Sequence, residues 1–571
     1  MKLIAEQLAD VVAAAVQAAQ AAGQLPTLAL PEILIERPKR KEQGDWATAL
    51  PLQIVRPVNE ARLAQDAGKL TPLQIAQVIA QQVQQMAHPA LSSVSALPPG
   101  FVNLHLAHAW LTGQVDDIRR QGEAWATLTE GQGRRVQVEF VSANPTGPLH
   151  FGGARNAVFG DTLARVLAAA GCDVQREFYI NDAGAQIRKF GASLLARYAQ
   201  ALGVNRPVPE DGYHGAYLTD WGAQLAAIHG RHYLDLPEEQ AVNALTDLAL
   251  EMAIAGLRTD LERLDIRFDR WFSERSLYRD GTYQEVLALL EARGLLYHKD
   301  DALWFAASKF AGNEKDQVVV RRSGEPTYLA SDIAYHYDKF VRRGFQRVID
   351  VWAIDHQGHV PRMAAVMAAL GLDPADLTIA LYALVKLKRG GEEVKLSKRA
   401  GDIVTLTEVI DEVGADAVRF MLLTRAAESE MEFDLKLAAE QSSENPVYYV
   451  QYAHARICSI LRRAQEAHSS LDEAAAVTLL HHPSEMALVR KMLELPEVIA
   501  LASRQLAPHH LTYYAQELAN AFHIFYRDCR VISSDPADAE ISQARLKLVD
   551  ACRLILAATL HLMGMSAPEQ M

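Results

Sequence analysis

Three short stretches carry side chains suited to phosphate chemistry. The first, Ser142-Ala143-Asn144-Pro145-Thr146-Gly147-Pro148-Leu149-His150-Phe151-Gly152-Gly153, is a Pro- and Gly-rich run ending where an apolar helical stripe begins. A helix N-terminus offers unpaired N–H groups and a positive dipole end to phosphate. Glycines there let a nucleotide approach the backbone, and His150 can donate to a phosphoryl oxygen as charge develops. The second, Lys395-Leu396-Ser397-Lys398-Arg399, follows Gly390-Gly391. Two lysines three apart on a glycine-flanked loop can close over a triphosphate and neutralise it. The third, Asp355-His356-Gln357-Gly358-His359, follows an apolar strand, and open α/β sheets bind ligands at the carboxyl ends of their strands. Singly, each also fits a plainer reading, a turn with a surface histidine or a solvated basic loop. Asp355, His356 and His359 could be zinc ligands, but they lack a fourth ligand and a nearby cysteine, so no metal site is expected.

The elements that must position these residues follow a βαβ rhythm. Val136, Val138 and Phe140 alternate as in a strand. Ala154, Val158, Val166, Leu167 and Ala170 form one helical stripe, with Gly171 placed to stop it. Val174 to Ile180 returns as a strand, so a parallel pair with a right-handed crossover is expected. Residues 190–320 read as a helix-rich insertion without that rhythm. It resumes with a strand over Arg347–Ile354, a helix ending near Gly371 and a strand near Ile379–Leu387. Beyond 405 nearly everything reads helical, including Pro446 to Arg463, and the loop Ser533-Ser534-Asp535-Pro536 parts two of the last helices. The first 110 residues read as a small α+β unit, with a helix, a strand at Ile33–Glu36, the charged loop Pro38-Lys39-Arg40-Lys41, and a closing strand Phe101 to Leu106.

The chain's 571 residues exceed one core and suggest several domains. Its four cysteines, Cys172, Cys458, Cys529 and Cys552, form no CxxC pair, which fits a reducing cytosol and no structural zinc. Glu6, Asp10, Gln17 and Gln20 interrupt the apolar N-terminal run. It therefore reads as an amphipathic helix with Leu8, Val11, Val12, Ala15 and Val16 on one face, rather than a signal peptide. No other segment reaches the length of a membrane span. The net charge of −13 points away from nucleic acid, and residues 441–571 carry eleven Lys/Arg against fourteen Asp/Glu. Any grip on RNA must come from local patches.

Taken together, the His150 and Lys395 segments resemble the "HIGH" and "KMSK" motifs of class I aminoacyl-tRNA synthetases, in the right order. Asn445-Pro446-Val447-Tyr448-Tyr449-Val450-Gln451-Tyr452-Ala453-His454-Ala455-Arg456 is similar to the run that opens the anticodon-binding bundle of arginyl-tRNA synthetases. Tyr328-Leu329-Ala330-Ser331-Asp332-Ile333-Ala334-Tyr335 resembles that family's guanidinium-receiving segment. Gly44-Asp45-Trp46-Ala47 and the Phe101 strand look like its N-terminal domain, which binds the tRNA elbow. The resemblance spans essentially the whole chain.

It implies an α/β fold, a Rossmann-type catalytic domain over 134–435 with an insertion at about 190–320. An N-terminal α+β domain over 1–110, a linker at 111–133 and an all-α anticodon-binding domain over 436–571 complete it. It implies ATP, with Mg²⁺ carried on it, arginine and its tRNA as partners, a cytoplasmic monomer, no membrane and no editing domain. By motif position, His150, Gly152, Gly153, Lys395, Ser397 and Lys398 would hold ATP, with His150, Lys395 and Lys398 catalytic. Ser142, Asn144, Asp355 and His359 would meet the substrate's backbone end or the adenylate. Tyr328, Asp332 and Glu274 would receive the guanidinium, and Asn445, Tyr449, Tyr452 and Arg456 would contact tRNA. One departure is Gly153, where many class I enzymes have a second histidine. There only a backbone N–H remains to donate. A synthetase for another amino acid, a small-molecule nucleotidylyltransferase and a silent RNA-binding paralogue are the alternatives.

Overall fold

The structure is a computed structural model that describes residues 2–394, 404–467 and 471–571. Lys395, Ser397 and Lys398 lie outside the described residues.

At the N-terminus, helices Ile4–Ala21, Leu50–Leu63 and Pro72–Gln85 pack on an antiparallel sheet of β1 (Trp46–Thr48), β2 (Leu91–Leu97) and β3 (Phe101–Leu106). Leu8, Val12, Ala15 and Val16 face that core, while Val11 sits at its edge. The strand expected at Ile33–Glu36 does not form. Only Glu36 pairs, in a single bridge to Ala47, because Pro31 and Pro38 flank the segment and remove backbone donors.

The centre is built from β4 (Arg135–Glu139), the helix Ala154–Ala169 and β5 (Asp173–Ile180), with β4 and β5 parallel as the spacing predicts. Gly171, at φ +100°, stops the helix where a side chain would be strained. Two findings differ from expectation within 190–320. β6 (Arg270–Ser273) is an edge strand of the central sheet, parallel to β5. β7 (Leu296–Lys299), β8 (Ala302–Phe305) and β9 (Gln317–Val320) form a separate antiparallel sheet. The four residues of β6 have too little apolar pattern to announce a strand, and pairing with β5 supplies what propensity does not. Three long helices, Ala185–Ala201, Ala216–His229 and Glu238–Glu262, do occupy the rest and share a core around Phe190, Tyr198 and Leu245.

β10 (Arg347–Ala353) and β11 (Leu377–Tyr382) complete a five-stranded parallel sheet of order β11-β10-β4-β5-β6. β12 (Val385–Arg389) pairs with the short β13 (Glu392–Glu393) and, in parallel, with β14 (Met431–Asp434). β14 interrupts the region expected to be helical, its Met431 and Phe433 buried and Glu432 exposed.

Five helices, Pro446–Glu466, Pro483–Met492, Leu495–Gln505, His510–Asp528 and Ala539–Leu562, form the C-terminal bundle, whose core is continuous with that of the central sheet. Arg419 is the junction. Fully buried, it pairs with Asp161 of the helix after β4 and donates to the carbonyls of Leu264 and Met563. Arg37–Glu497, Asp45–Arg490 and Glu130–Arg504 ion pairs tie the bundle to the rest of the chain. Among the described residues no helix is long and apolar enough to cross a membrane. Breaking a buried pair on one side leaves a charge uncompensated, so Arg419→Ala is expected to cost about 3–5 kcal/mol in urea unfolding. A loss below about 1 kcal/mol would show that Arg419 is not the junction.

Candidate active site

The carboxyl ends of β4 and β10 frame the site. After Glu139 the chain turns through Val141 (φ +65°) and Ser142 (φ +41°), a backbone conformation strained for both. Hydrogen bonds hold the turn. Asn156 Oδ1 accepts from the Val141 N–H at 2.6 Å and Ser142 Oγ donates to Glu139 at 2.9 Å. Ser142 Oγ also accepts the Tyr179 N–H at 3.2 Å, so its hydroxyl serves the protein's own frame. Asn144 is exposed and accepts from Asn181 at 3.3 Å.

His150 caps the short turn Phe151–Gly153 that leads into the helix Ala154–Ala169, its Nδ1 accepting the Gly152 N–H at 2.8 Å. A Cβ on residue 152 would lie 2.8 Å from that nitrogen, so the position requires glycine. The Gly153 N–H donates to the His150 carbonyl at 2.9 Å and is thus already engaged. Residues following the Lys395–Lys398 segment reach this loop. Val404 O accepts from Phe151, Leu406 donates to Leu149 O, and Thr405 bridges His150. The His150 turn is therefore joined to Val404–Leu406.

Tyr328 and Asp332 lie one turn apart on the helix Tyr328–Tyr337, Tyr328 exposed and Asp332 half-buried. Burial pushes the Asp332 carboxyl up to about 7; His336 opposes the shift, and Glu139, Glu274 and Asp350 add to it. Glu274 begins its own short helix, is buried, and accepts from Ser331 Oγ at 2.6 Å. Burial raises its carboxyl also, with Ser331 and Tyr179 opposing. A cavity of about 790 Å³ opens between Glu274, Tyr328, Ser331 and the basic side chains Arg188, Lys189 and Arg321. Asp355 and His359 stand on the exposed turn Ile354–His359 beyond β10. Among the described residues no three His, Cys, Asp or Glu side chains gather for a metal ion.

Reading the sequence missed Glu139, His336, Lys339 and Asp350, which pack behind Asp332. Glu139 could have been found as the last residue of the strand before Ser142. A buried lysine in a helix has no signature that separates it from a surface one.

In the C-terminal bundle, Asn445 is buried. It caps the helix Pro446–Glu466 through the Val447 N–H and donates to the carbonyls of Ala438 and Glu440, a structural use of its side chain. Tyr452 and Arg456 instead line a cavity of about 660 Å³ with Arg462, Arg463 and Tyr526. The Arg456 guanidinium lies over Tyr452, 4.6 Å from the ring centre. This is a local basic and aromatic patch on an acidic chain, and its members follow the helical spacing of one face. Tyr449 packs beside it on His523, with ring centres 5.0 Å apart.

Similarity to known proteins gives the family. The family profile "tRNA synthetases class I (R), catalytic domain" matches residues 114–457. "Arginyl tRNA synthetase N terminal domain" matches 4–106 and "DALR anticodon binding domain" matches 450–571. The chain belongs to the arginyl-tRNA synthetase family. It is similar to the arginine–tRNA ligase of Dehalococcoides mccartyi, with 51% identity covering 98% of this chain and 97% of that protein. It is also 45% identical to that of Heliobacterium modesticaldum, each chain fully covered. In fold it matches the Thermus thermophilus arginyl-tRNA synthetase at a TM-score of 0.73 and 22% identity, with all of both chains covered.

Burial, with Arg456 nearby, lowers the His523 imidazole to about 4. The unfolded chain takes up this proton near 6.5, so the group costs stability as pH falls from there toward 4. NMR titration is expected to show the His523 ring proton unchanged between pH 8 and 5.5. A midpoint near 6.5 would contradict this packing.

Proposed function

We propose that the protein is an arginine–tRNA ligase. Arginine's carboxylate attacks the α-phosphorus of ATP, the bond to the bridging oxygen breaks, and pyrophosphate leaves. The terminal ribose hydroxyl of the tRNA then attacks the arginyl carbonyl, losing its proton as AMP departs. The observation that carries this reading is full-length family membership joined to one geometry, the His150 turn paired with Val404–Leu406.

In this reading His150 meets the ATP phosphates, Gly152 and Gly153, whose N–H groups are engaged within the turn, let the nucleotide approach it closely, and Lys395, Ser397 and Lys398 close over the phosphates. Asp332, with Tyr328 and Glu274, receives the guanidinium. Planar, permanently charged and armed with five donors, it suits fixed carboxylate acceptors. Such a pocket should reject analogues without the group by about 10⁴–10⁵, which fits the absence of editing. Ser142, Asn144, Asp355 and His359 meet the backbone end and the adenylate. The engaged hydroxyl of Ser142 makes its part a shaping of the loop. Mg²⁺ would be carried on the ATP phosphates and would supply charge neutralisation there. Tyr449, Tyr452 and Arg456 grip the tRNA, with Asn445 fixing the helix that carries them. The ligase works as a cytoplasmic monomer.

Radiolabelled arginine should transfer to total tRNA in the presence of ATP. Pyrophosphate exchange should stay near background until tRNA is added. Lys398→Ala should slow activation about 10²–10³-fold in single turnover. Asp332→Asn should raise the arginine KM about 10²–10³-fold and leave that for ATP unchanged. Failure to charge any tRNA with arginine overturns the reading. An unchanged arginine KM in a folded Asp332→Asn protein removes Asp332 from the pocket.

A further inference from the structure

Behind the pocket, Glu139 and Asp350 stand opposite each other on the neighbouring strands β4 and β10. Both are buried, and two carboxylates so placed repel strongly in a low-dielectric interior. The Lys339 ammonium lies between them, 2.6 Å from Glu139 Oε2 and 2.8 Å from Asp350 Oδ1, with no solvent exposure. Lys339 reaches that point from the π-helical turn Asp338–Arg342, which directly continues the helix bearing Asp332. Turns of this kind interrupt regular helices at functional sites.

Lys339 has no solvent exposure and acts through its partners, from which Ser142 and His336 are each one hydrogen bond away. Glu139 accepts from Ser142, which holds the strained turn leading to His150. Asp350 Oδ2 faces His336 Nε2 at 2.9 Å, while His336 Nδ1 faces the Asp332 carbonyl at 2.8 Å. Both ring nitrogens therefore meet oxygen atoms. We propose that Lys339 is a positioning residue for arginine, an internal cation that holds Glu139 and Asp350 in place across the two strands. Asp332 is then left as the pocket carboxylate free to take a guanidinium. The proposal rests on the reading of Asp332 as the guanidinium acceptor.

The other groups facing this network are few. β5 contributes Tyr179 and Glu177, the latter paired to Arg343. The pocket helix adds Tyr335, whose ring lies 4.1 Å from the Lys339 ammonium, and Glu274 lies on the far side of Asp332. The Asp350 carboxyl is held below its usual range, where Lys339 and His336 outweigh its burial. With Lys339 gone, burial would raise both acids against only Ser142 and His336, and the turn and the ring that these acids hold would lose their charged partners.

The test is steady-state aminoacylation by Lys339→Met and by Lys339→Met/Asp350→Asn, with arginine and ATP varied in turn from pH 6 to 9. A cation at this distance shifts a carboxylate by about one to three units. Lys339→Met is therefore expected to raise the arginine KM about tenfold to a hundredfold at pH 7 and leave the ATP KM unchanged. The deficit should shrink toward pH 9 as the acids ionise without their cation. Removing Asp350's charge as well should recover part of the loss. A merely structural role would depress kcat, with no arginine-specific pH dependence. Thermal melting establishes folding. Should the single variant not fold, the double variant keeps the internal charge balance and is read the same way, an arginine KM above wild type at pH 7 that narrows toward pH 9. Wild-type arginine KM at every pH in a folded Lys339 variant overturns the proposal. If Asp332→Asn itself leaves arginine dependence unchanged, the pocket reading fails instead. If Asp332→Asn is impaired and the Lys339 variants are not, only the positioning role fails.

Discussion

Carboxylates taken out of water must be given partners, and the centre of this structure is arranged around that requirement. Glu139, Asp350, Glu177 and Asp161 are all buried in or beside the parallel sheet. Lys339 serves the first two, Arg343 serves Glu177 at the neighbouring strand, and Arg419 serves Asp161. Lys339 and Arg343 come from one turn and Arg419 from a distant helix, so the pairs also fix how those segments meet the sheet. Breaking any one leaves an uncompensated charge and costs far more than the intact pair contributes. Asp332 stands apart, half-buried, with no lysine or arginine among the groups that shift it most. A carboxylate so placed is suited to a cationic substrate group.

Much of the scaffold was legible in the sequence. The alternation of Val136, Val138 and Phe140 marks β4, the stripe from Ala154 marks its helix, and Gly171 marks the helix end. The alternation nevertheless hides how deeply β4 is buried. Gln137 and Glu139, its polar positions, are themselves enclosed and bonded to Glu177 and Lys339. A strand of a covered parallel sheet is buried on both faces, and here half of its interior contacts are polar. β6 and β14 were not legible because each is four residues long and exists by pairing with a longer strand. Ile33–Glu36 shows the converse, a strand-like stretch with only one bridge to its neighbour.

The candidate site was legible where a loop carries chemistry in consecutive residues, and obscure where it is assembled across the chain. His150 and Gly152 interact as their spacing suggests, and Tyr328 and Asp332 share one helical face. Asn445 differs, since burial assigns its side chain to capping. The two acids behind Asp332 come from different strands, and no single window contains them. Bulk charge was equally silent about RNA, because the Arg456, Arg462 and Arg463 patch sits within a bundle that is acidic as a whole. Local fields around a cleft, not net charge, govern such contacts.

The central claim is that Asp332 accepts arginine's guanidinium, and proton release on binding tests it most directly. With its carboxyl near 7 in the free protein, Asp332 is about half protonated at pH 7 and must ionise against a guanidinium. Isothermal calorimetry of arginine binding, repeated at pH 7 in buffers of different ionisation enthalpy, should show release of about half a proton per arginine. That release should vanish by pH 9 and in Asp332→Asn. Binding at pH 7 with no proton exchange would contradict the account.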